Sequence, residues 1–265
     1  GYVGANNNLL HAGLIEPLEV YVDRGLISIE DISKSLLETG MIDGKLYGIS
    51  LGCNVKCMMV IPECFRKANL EIPEEGYKSW EALEADLIKI KENGIAPVAG
   101  HVFDRDFTFE YFCLQRGETK FTGSGKAEIG FSKNTYVDYY RMWLRWEEEG
   151  LIPPYIATYM LRKQPDAEET QPEYVVSFLY SNQFEQRSEK SKYRLELLPL
   201  PGMEDVGGME IRPGMHICMS SISEHKEAAA RLIDFLINDM EANQILNAER
   251  GMPASVKVRN ALLPG

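Results

Sequence analysis

At 265 residues and 45% hydrophobic content, the chain is long enough for two folded lobes and too apolar to be disordered by default. Forty acidic against 28 basic residues give a formal net charge of −12, which excludes a nucleic-acid surface built on clustered Lys and Arg. No stretch reaches the ~18 uninterrupted apolar residues of a membrane span.

In chain order, Leu9 to Leu37 reads as mostly helical, and Asp43-Gly44 marks a tight turn into strands around Leu46 to Ile61. If Leu51 to Met59 is extended, Cys53 and Cys57 share a face about 13 Å apart, too far for a disulfide that needs Cα atoms within roughly 7 Å. The five cysteines are odd in number and read as small buried hydrophobes; Cys53, Cys57 and Cys64 lack the spacing of a zinc site, so no metal or other cofactor is expected. Ser79 caps a helix that turns Trp80, Leu83, Leu87 and Ile90 inward and stops near Gly94. Ile95 to Ala99 follows as a short strand.

Phe107 to Gln115 and Tyr136 to Glu149 are further helices, the second closed by Gly150 and Pro153-Pro154. Tyr136, Tyr140, Trp143 and Leu144 have core spacing, and Trp146 with Glu147-Glu148-Glu149 reads as a solvated acidic helix end. Arg162 to Pro172 is a polar, acidic loop and the expected mobile segment. Tyr174 to Tyr180 and Tyr193 to Leu198 are strand candidates. A helix after Ser220 to Ser223 carries Ala228, Leu232, Phe235 and Leu236 on one face, with Ser221–Glu224 as capping box or Ser223 as N-cap. A second helix runs from about Glu241 to Arg250, stopped by Gly251 and Pro253. Helices alternating with short apolar runs point to α/β architecture.

The wording of these segments carries a resemblance. Gly13-Leu14-Ile15-Glu16-Pro17-Leu18, Asp43-Gly44-Lys45-Leu46-Tyr47-Gly48-Ile49 with Leu51-Gly52-Cys53-Asn54, and Ser79-Trp80-Glu81-Ala82-Leu83 come first. Gly150-Leu151-Ile152-Pro153-Pro154, Ser181-Asn182-Gln183, Leu198-Pro199-Leu200-Pro201-Gly202 and Ser220 to Ser255 complete the series in order. Together they resemble the family 1 extracellular solute-binding proteins, the carbohydrate-capturing subunits of bacterial ABC importers.

The resemblance implies a type II periplasmic-binding-protein-like fold, two α/β lobes around a hinge. Residues 1–53 would begin the amino-terminal lobe, 54–199 form the carboxy-terminal lobe, 200–252 return to the first, and 253–265 make a third crossing and start carboxy-terminal lobe helices. It implies a carbohydrate ligand, ABC permease subunits as partners, a monomer, and an extracytoplasmic place on the cell surface or in the periplasm. Membrane association would come only through a lipid anchor outside these residues, the chain reading as an internal segment of a longer product or a variant trimmed at both ends. If the first lobe lacks its opening strands, an exposed sheet edge would make the segment aggregation-prone.

Sugar binding needs flat apolar faces for pyranose rings and planar polar groups for paired hydroxyls. Asp104, Arg105, Asp106 and Phe107 at a helix start offer that mixture, or are a charged loop with Phe107 and Phe109 anchoring the helix. Phe178 and Tyr180 fall on one strand face, with Ser181 and Gln183 at its end; similar family positions line the cleft, and many relatives have Trp there. Asn54 at the first crossing and Arg212 on the return segment, with His216 nearby, complete the candidates. No catalytic residue is assigned, because no triad, metalloprotease or phosphate-loop spacing occurs. The alternatives are a carbohydrate-active enzyme using Asp104 and Asp106 at the ~5–9 Å separations of glycosidases, and a sugar-binding sensor or adhesin module.

Overall fold

A single strand, Gly52–Val60, carries the chain from one folded unit into the other in the computed structural model, which describes residues 7–95, 97–101, 105–122, 128–155, 173–202 and 211–262. The first unit comprises Gly1–Val55 with Ile211–Gly265, and the second Lys56–Glu210. Among the described residues no helix is long and apolar enough to cross a membrane. The expected mobile loop from Arg162 to Pro172 lies outside the described residues.

In the first unit, Met41–Ile42 and Lys45–Leu46 form a hairpin. Asp43 and Gly44 both take positive φ, 49° and 77°, the backbone hand that matches the twist of paired strands. Ile15–Glu16 pairs with Met219–Ser220, and Ile49–Ser50 with His216–Ile217, all antiparallel. The start of Gly52–Val60 takes Ile211–Pro213 and Met252–Pro253 as antiparallel neighbours. Three short helices, Asn7–His11, Glu19–Asp23 and Lys34–Glu38, replace the mostly helical run expected up to Leu37.

Around Leu18, Tyr21, Ile27 and Ile49 a core forms onto which the helix Lys226–Asn238 places Ala230, Ile233 and Ile237. Leu232 and Phe235, expected inward, are exposed. Apolar residues occupy both sides of this helix, and packing against the core selected the side with 230, 233 and 237. The helix also starts later than its serines suggest: His225 is the N-cap without a side-chain bond, and Ser223 Oγ only accepts from the His225 N–H at 3.3 Å. Asp239 caps the next helix, Met240–Leu246, by accepting from Ala242 N–H at 3.0 Å. That helix ends before the expected Arg250, because Asn247 and Ala248 turn left-handed at φ 44° and 56°.

The closing helix Val256–Leu262 groups with the first unit. Val256 N–H donates to Asp31 O at 2.8 Å, Ser255 bridges Ile32, and Val258 is buried.

A mixed sheet organises the second unit, in the order Glu196–Pro199, Gly52–Val60, Val176–Tyr180, Ala99–His101. The last pair is parallel and the others antiparallel. The helix Trp80–Glu92 is capped by Ser79 Oγ on Ala82 N–H at 3.1 Å and buries Trp80, Leu83, Leu87 and Ile90. The helix Lys133–Glu148 starts at its cap Ser132, earlier than expected, and buries Tyr139, Met142, Trp143 and Trp146. Tyr136 and Leu144 are therefore about half exposed, and Trp146 is a core ring instead of a solvated end. Trp80 stacks on Phe178 at 5.9 Å, and Trp143 meets the same ring edge-on at 5.5 Å.

Arg145 holds Glu84 with two nitrogens, Nε to Oε1 at 2.6 Å and Nη2 to Oε2 at 2.5 Å. Burial, the largest single influence, pushes the Glu84 carboxyl up, but the hydrogen bonds and charge of Arg145, together with Trp146, outweigh it and hold the group below its ordinary value. A carboxyl lowered on folding stabilises above its unfolded pKa, and that contribution is lost as pH falls through the folded one. Stability of the second unit is accordingly expected to decline as pH drops below the ordinary carboxylate range, less steeply in Glu84→Gln. Urea midpoints against pH for the two proteins check this; identical slopes would remove Glu84 as a cause.

Cys53, Cys57, Cys64 and Cys113 are buried free thiols, and burial pushes Cys57 up to about 12; Cys218 is exposed, unlike the buried role expected of the cysteines.

Candidate functional site

The antiparallel register sets Lys56 directly opposite Tyr180, and Met58 opposite Phe178. Opposed residues share a face, as do residues two apart along one strand, so all four lie on one side of the sheet. Along that side the environment changes sharply. Phe178 is fully buried among Trp80, Trp143 and Trp146. Both expectations about its strand therefore part here: it does share a face with Tyr180, but it is a core ring and not a ligand platform. The helices Trp80–Glu92 and Lys133–Glu148 cover it, which the strand's own alternation could not reveal.

Two residues on, Tyr180 is only partly buried and packs edge-on against Phe107, with ring centroids 4.9 Å apart. Lys56 Nζ lies 5.4 Å from the Phe107 ring centre, within the range of a cation–π contact. Its charge is balanced by Glu110, Nζ to Oε2 at 3.8 Å. Phe107 comes from the 3₁₀ turn Arg105–Thr108 and Glu110 from the helix Phe109–Gln115 that continues it. Thr108 Oγ1 and Tyr139 Oη share a 2.8 Å hydrogen bond that ties this turn to the core. An aromatic edge, an ammonium and a carboxylate thus converge at one end of the sheet, a mixture suited to a polyhydroxylated ring.

The remaining candidates in this unit fall around that point with different roles. Gln183 Oε1 accepts from Tyr180 N–H at 3.2 Å, so its amide shapes the strand end. Ser181 opens the same 3₁₀ turn, Ser181–Gln183. Asp106 is exposed and paired with Lys120 at 3.2 Å. Arg105 begins its turn, and Asp104 lies outside the described residues. Lys56 and Glu110 were missed by sequence reasoning. A signal existed for Lys56: it is the one charged residue in the strand Gly52–Val60.

Asn54 and Arg212 belong to the first unit, where they are register partners across antiparallel strands. Asn54 Oδ1 is buried and has no hydrogen-bond partner among the described residues. Gly251 passes directly over it at φ +99°, where a Cβ would stand 2.7 Å from that oxygen. His216 is bonded within the same unit, its Nε2 3.0 Å from Thr39 Oγ1.

The fold is an α/β scaffold of the kind seen in periplasmic solute-binding proteins. The resemblance to family 1 extracellular solute-binding proteins, read from the motifs between Gly13 and Ser255, extends to the structure, whose neighbours are members of that family. An extracellular solute-binding protein family 1 from Alicyclobacillus acidocaldarius is 26% identical with a TM-score of 0.72, the match covering 96% of this chain and 63% of that one. The ABC substrate-binding protein of Listeria monocytogenes solved with cycloalternan is 17% identical, with a TM-score of 0.74 over 94% of this chain and 64% of its own. A Brucella abortus (strain 2308) protein provisionally named a binding protein is 22% identical over 242 residues, 86% of this chain and 55% of the relative. The chain spans about half the length of the curated relatives it matches. No family model matches it. Designed esterases carry the same fold, so the fold alone does not fix the chemistry.

Proposed function

We propose that this chain is the solute-binding part of an ABC importer, capturing a sugar or oligosaccharide outside the membrane and delivering it to the permease. The observation that carries this is the partly buried Tyr180 ring, set beside Phe107, Lys56 and Glu110 at the end of a sheet. The shared scaffold of a neighbour solved with cycloalternan supports carbohydrate as the solute class. The ring of Tyr180 offers the apolar surface for a pyranose, with Ser181 and Asp106 as hydroxyl partners. Binding acts by population shift, without chemistry on the solute: the sugar stabilises the conformation it contacts best, and the permease reads that conformation.

A thermal-shift screen against mono- and oligosaccharides, with peptides and metal ions as controls, tests this. Sugar at ~100 times its dissociation constant adds about 2.7 kcal/mol to the bound fold, a rise of several degrees. Tyr180→Ala is expected to weaken the responding sugar about tenfold, through loss of a stacking contact worth about 1 kcal/mol and its area. A shift with another solute and none with any sugar would overturn the carbohydrate assignment, and turnover of the sugar would overturn the binding-protein reading.

A further inference from the structure

Tyr180 is the last residue of its strand, Val176–Tyr180, and the chain turns at once into the 3₁₀ turn Ser181–Gln183. Lys56 opposes it on the antiparallel side, while among the described residues the parallel strand Ala99–His101 is in register only as far as Phe178. Phe178 is clamped by three tryptophan rings, so the strand is firmly held up to that level. Strand ends open more easily than strand centres. At this end a side chain takes up the backbone group: Gln183 Oε1 accepts from Tyr180 N–H at 3.2 Å. Because the donor is a backbone N–H, the atom that meets it must be the amide oxygen, which fixes the orientation of the Gln183 amide. Gln183 thereby ties the last strand residue to the far end of the turn that follows it.

The ring mounted on that residue is partly buried and edge-on to Phe107 at 4.9 Å. A ring that receives a sugar face binds best when it already stands in place, since each side chain ordered on binding subtracts from affinity. The backbone at Tyr180 sets where the ring starts, and the Gln183 bond holds the backbone at that one residue.

We infer that Gln183 is a positioning residue, acting on ligand binding through Tyr180 by holding the strand end that carries the ring, and not by touching the ligand. The inference rests on the carbohydrate reading above and deepens it: the ligand contact expected of Gln183 becomes a support behind the contact.

Calorimetric titration of the intact chain with maltose, cellobiose and galactobiose tests it. Gln183→Met keeps the length of the side chain and removes the acceptor; it is expected to weaken the sugar that binds about fivefold. Gln183→Glu keeps an acceptor oxygen for the Tyr180 N–H and should return affinity to within about twofold of the wild type. An amide N–H donated directly to the sugar would not be restored in this way. In a Tyr180→Ala background the effect of Gln183→Met should shrink below about twofold, because no ring is left to position. Full affinity in Gln183→Met, a Gln183→Glu variant as weak as Gln183→Met, or a loss that persists undiminished without the ring overturns the inference while the carbohydrate reading stands. A wild type that binds none of these sugars, or a Tyr180→Ala variant of unchanged affinity, overturns the reading of the site and this inference with it.

Discussion

Replacing Trp143 with alanine is expected to lower the stability of the second unit by about 3–5 kcal/mol, the range for deleting a large buried aromatic. The ring has no exposed surface, and it lies between Trp146 at 4.9 Å, Phe178 at 5.5 Å, Tyr139 at 6.0 Å and Trp80 at 6.2 Å. Those neighbours come from two helices and the strand Val176–Tyr180, so no single local shift can fill the space. Interiors pack at crystal-like density, and the lost contacts are not recovered by partial collapse. Leu144→Ala, one residue along but exposed, should stay within about 0.5 kcal/mol. Urea unfolding of both variants, followed by tryptophan fluorescence and by circular dichroism, measures the contrast. A loss below about 1 kcal/mol for Trp143→Ala would mean that this ring cluster is not the core of the unit.

Gly251→Ala is expected to destabilise the first unit by about 2–4 kcal/mol, combining overpacking with a left-handed backbone that only glycine adopts freely. The new Cβ would lie 2.7 Å from Asn54 Oδ1 and 2.8 Å from Cys53 O, contacts that no rotamer change at residue 251 relieves. The strands there have little room to retreat, since Gly52 itself approaches the Gly251 carbonyl so closely that its own Cβ would meet that oxygen at 2.7 Å. Gly94→Ala is the matched control: its φ is +73°, but a Cβ there meets nothing within 4 Å. It should cost about 1 kcal/mol, the backbone component alone. Amide hydrogen exchange across residues 49 to 54, compared between the two variants, separates the steric from the conformational part. Equal protection in both would show that the crossing at Gly251 yields easily.

Local signals in the sequence determined those elements whose cause is itself local. Ser79 sits before an apolar period of 3.6 and the helix Trp80–Glu92 follows, with the expected four side chains inside. Asp43-Gly44 needs positive φ at two consecutive positions, and few dipeptides supply it as cheaply, so the hairpin was readable. The family wording was legible for a similar reason, being a series of such local devices in a fixed order. Where a helix carries apolar residues on two faces, nothing local chooses between them. Leu232 and Phe235 against Ile233 and Ile237, and Tyr136 and Leu144 against Tyr139 and Trp146, were settled only by which face met a partner surface.

The candidate site divides along the same line. Tyr180 was identifiable as an aromatic at a strand end followed by hydroxyl and amide side chains. Its partners were not, because Lys56, Phe107 and Tyr180 are separated by long stretches of chain and meet only through the pairing of Gly52–Val60 with Val176–Tyr180 and the turn at Arg105–Thr108. Phe178 and Tyr180 differ by two residues and share a face, yet one is core and the other lines the candidate site. That distinction belongs to the helices laid across the sheet, whose extent no property of the strand encodes. The sequence by itself determined the scaffold and the kinds of side chain available for binding. Tertiary structure alone decided which of them remain accessible, because burial depends on what packs above a residue and not on what adjoins it along the chain.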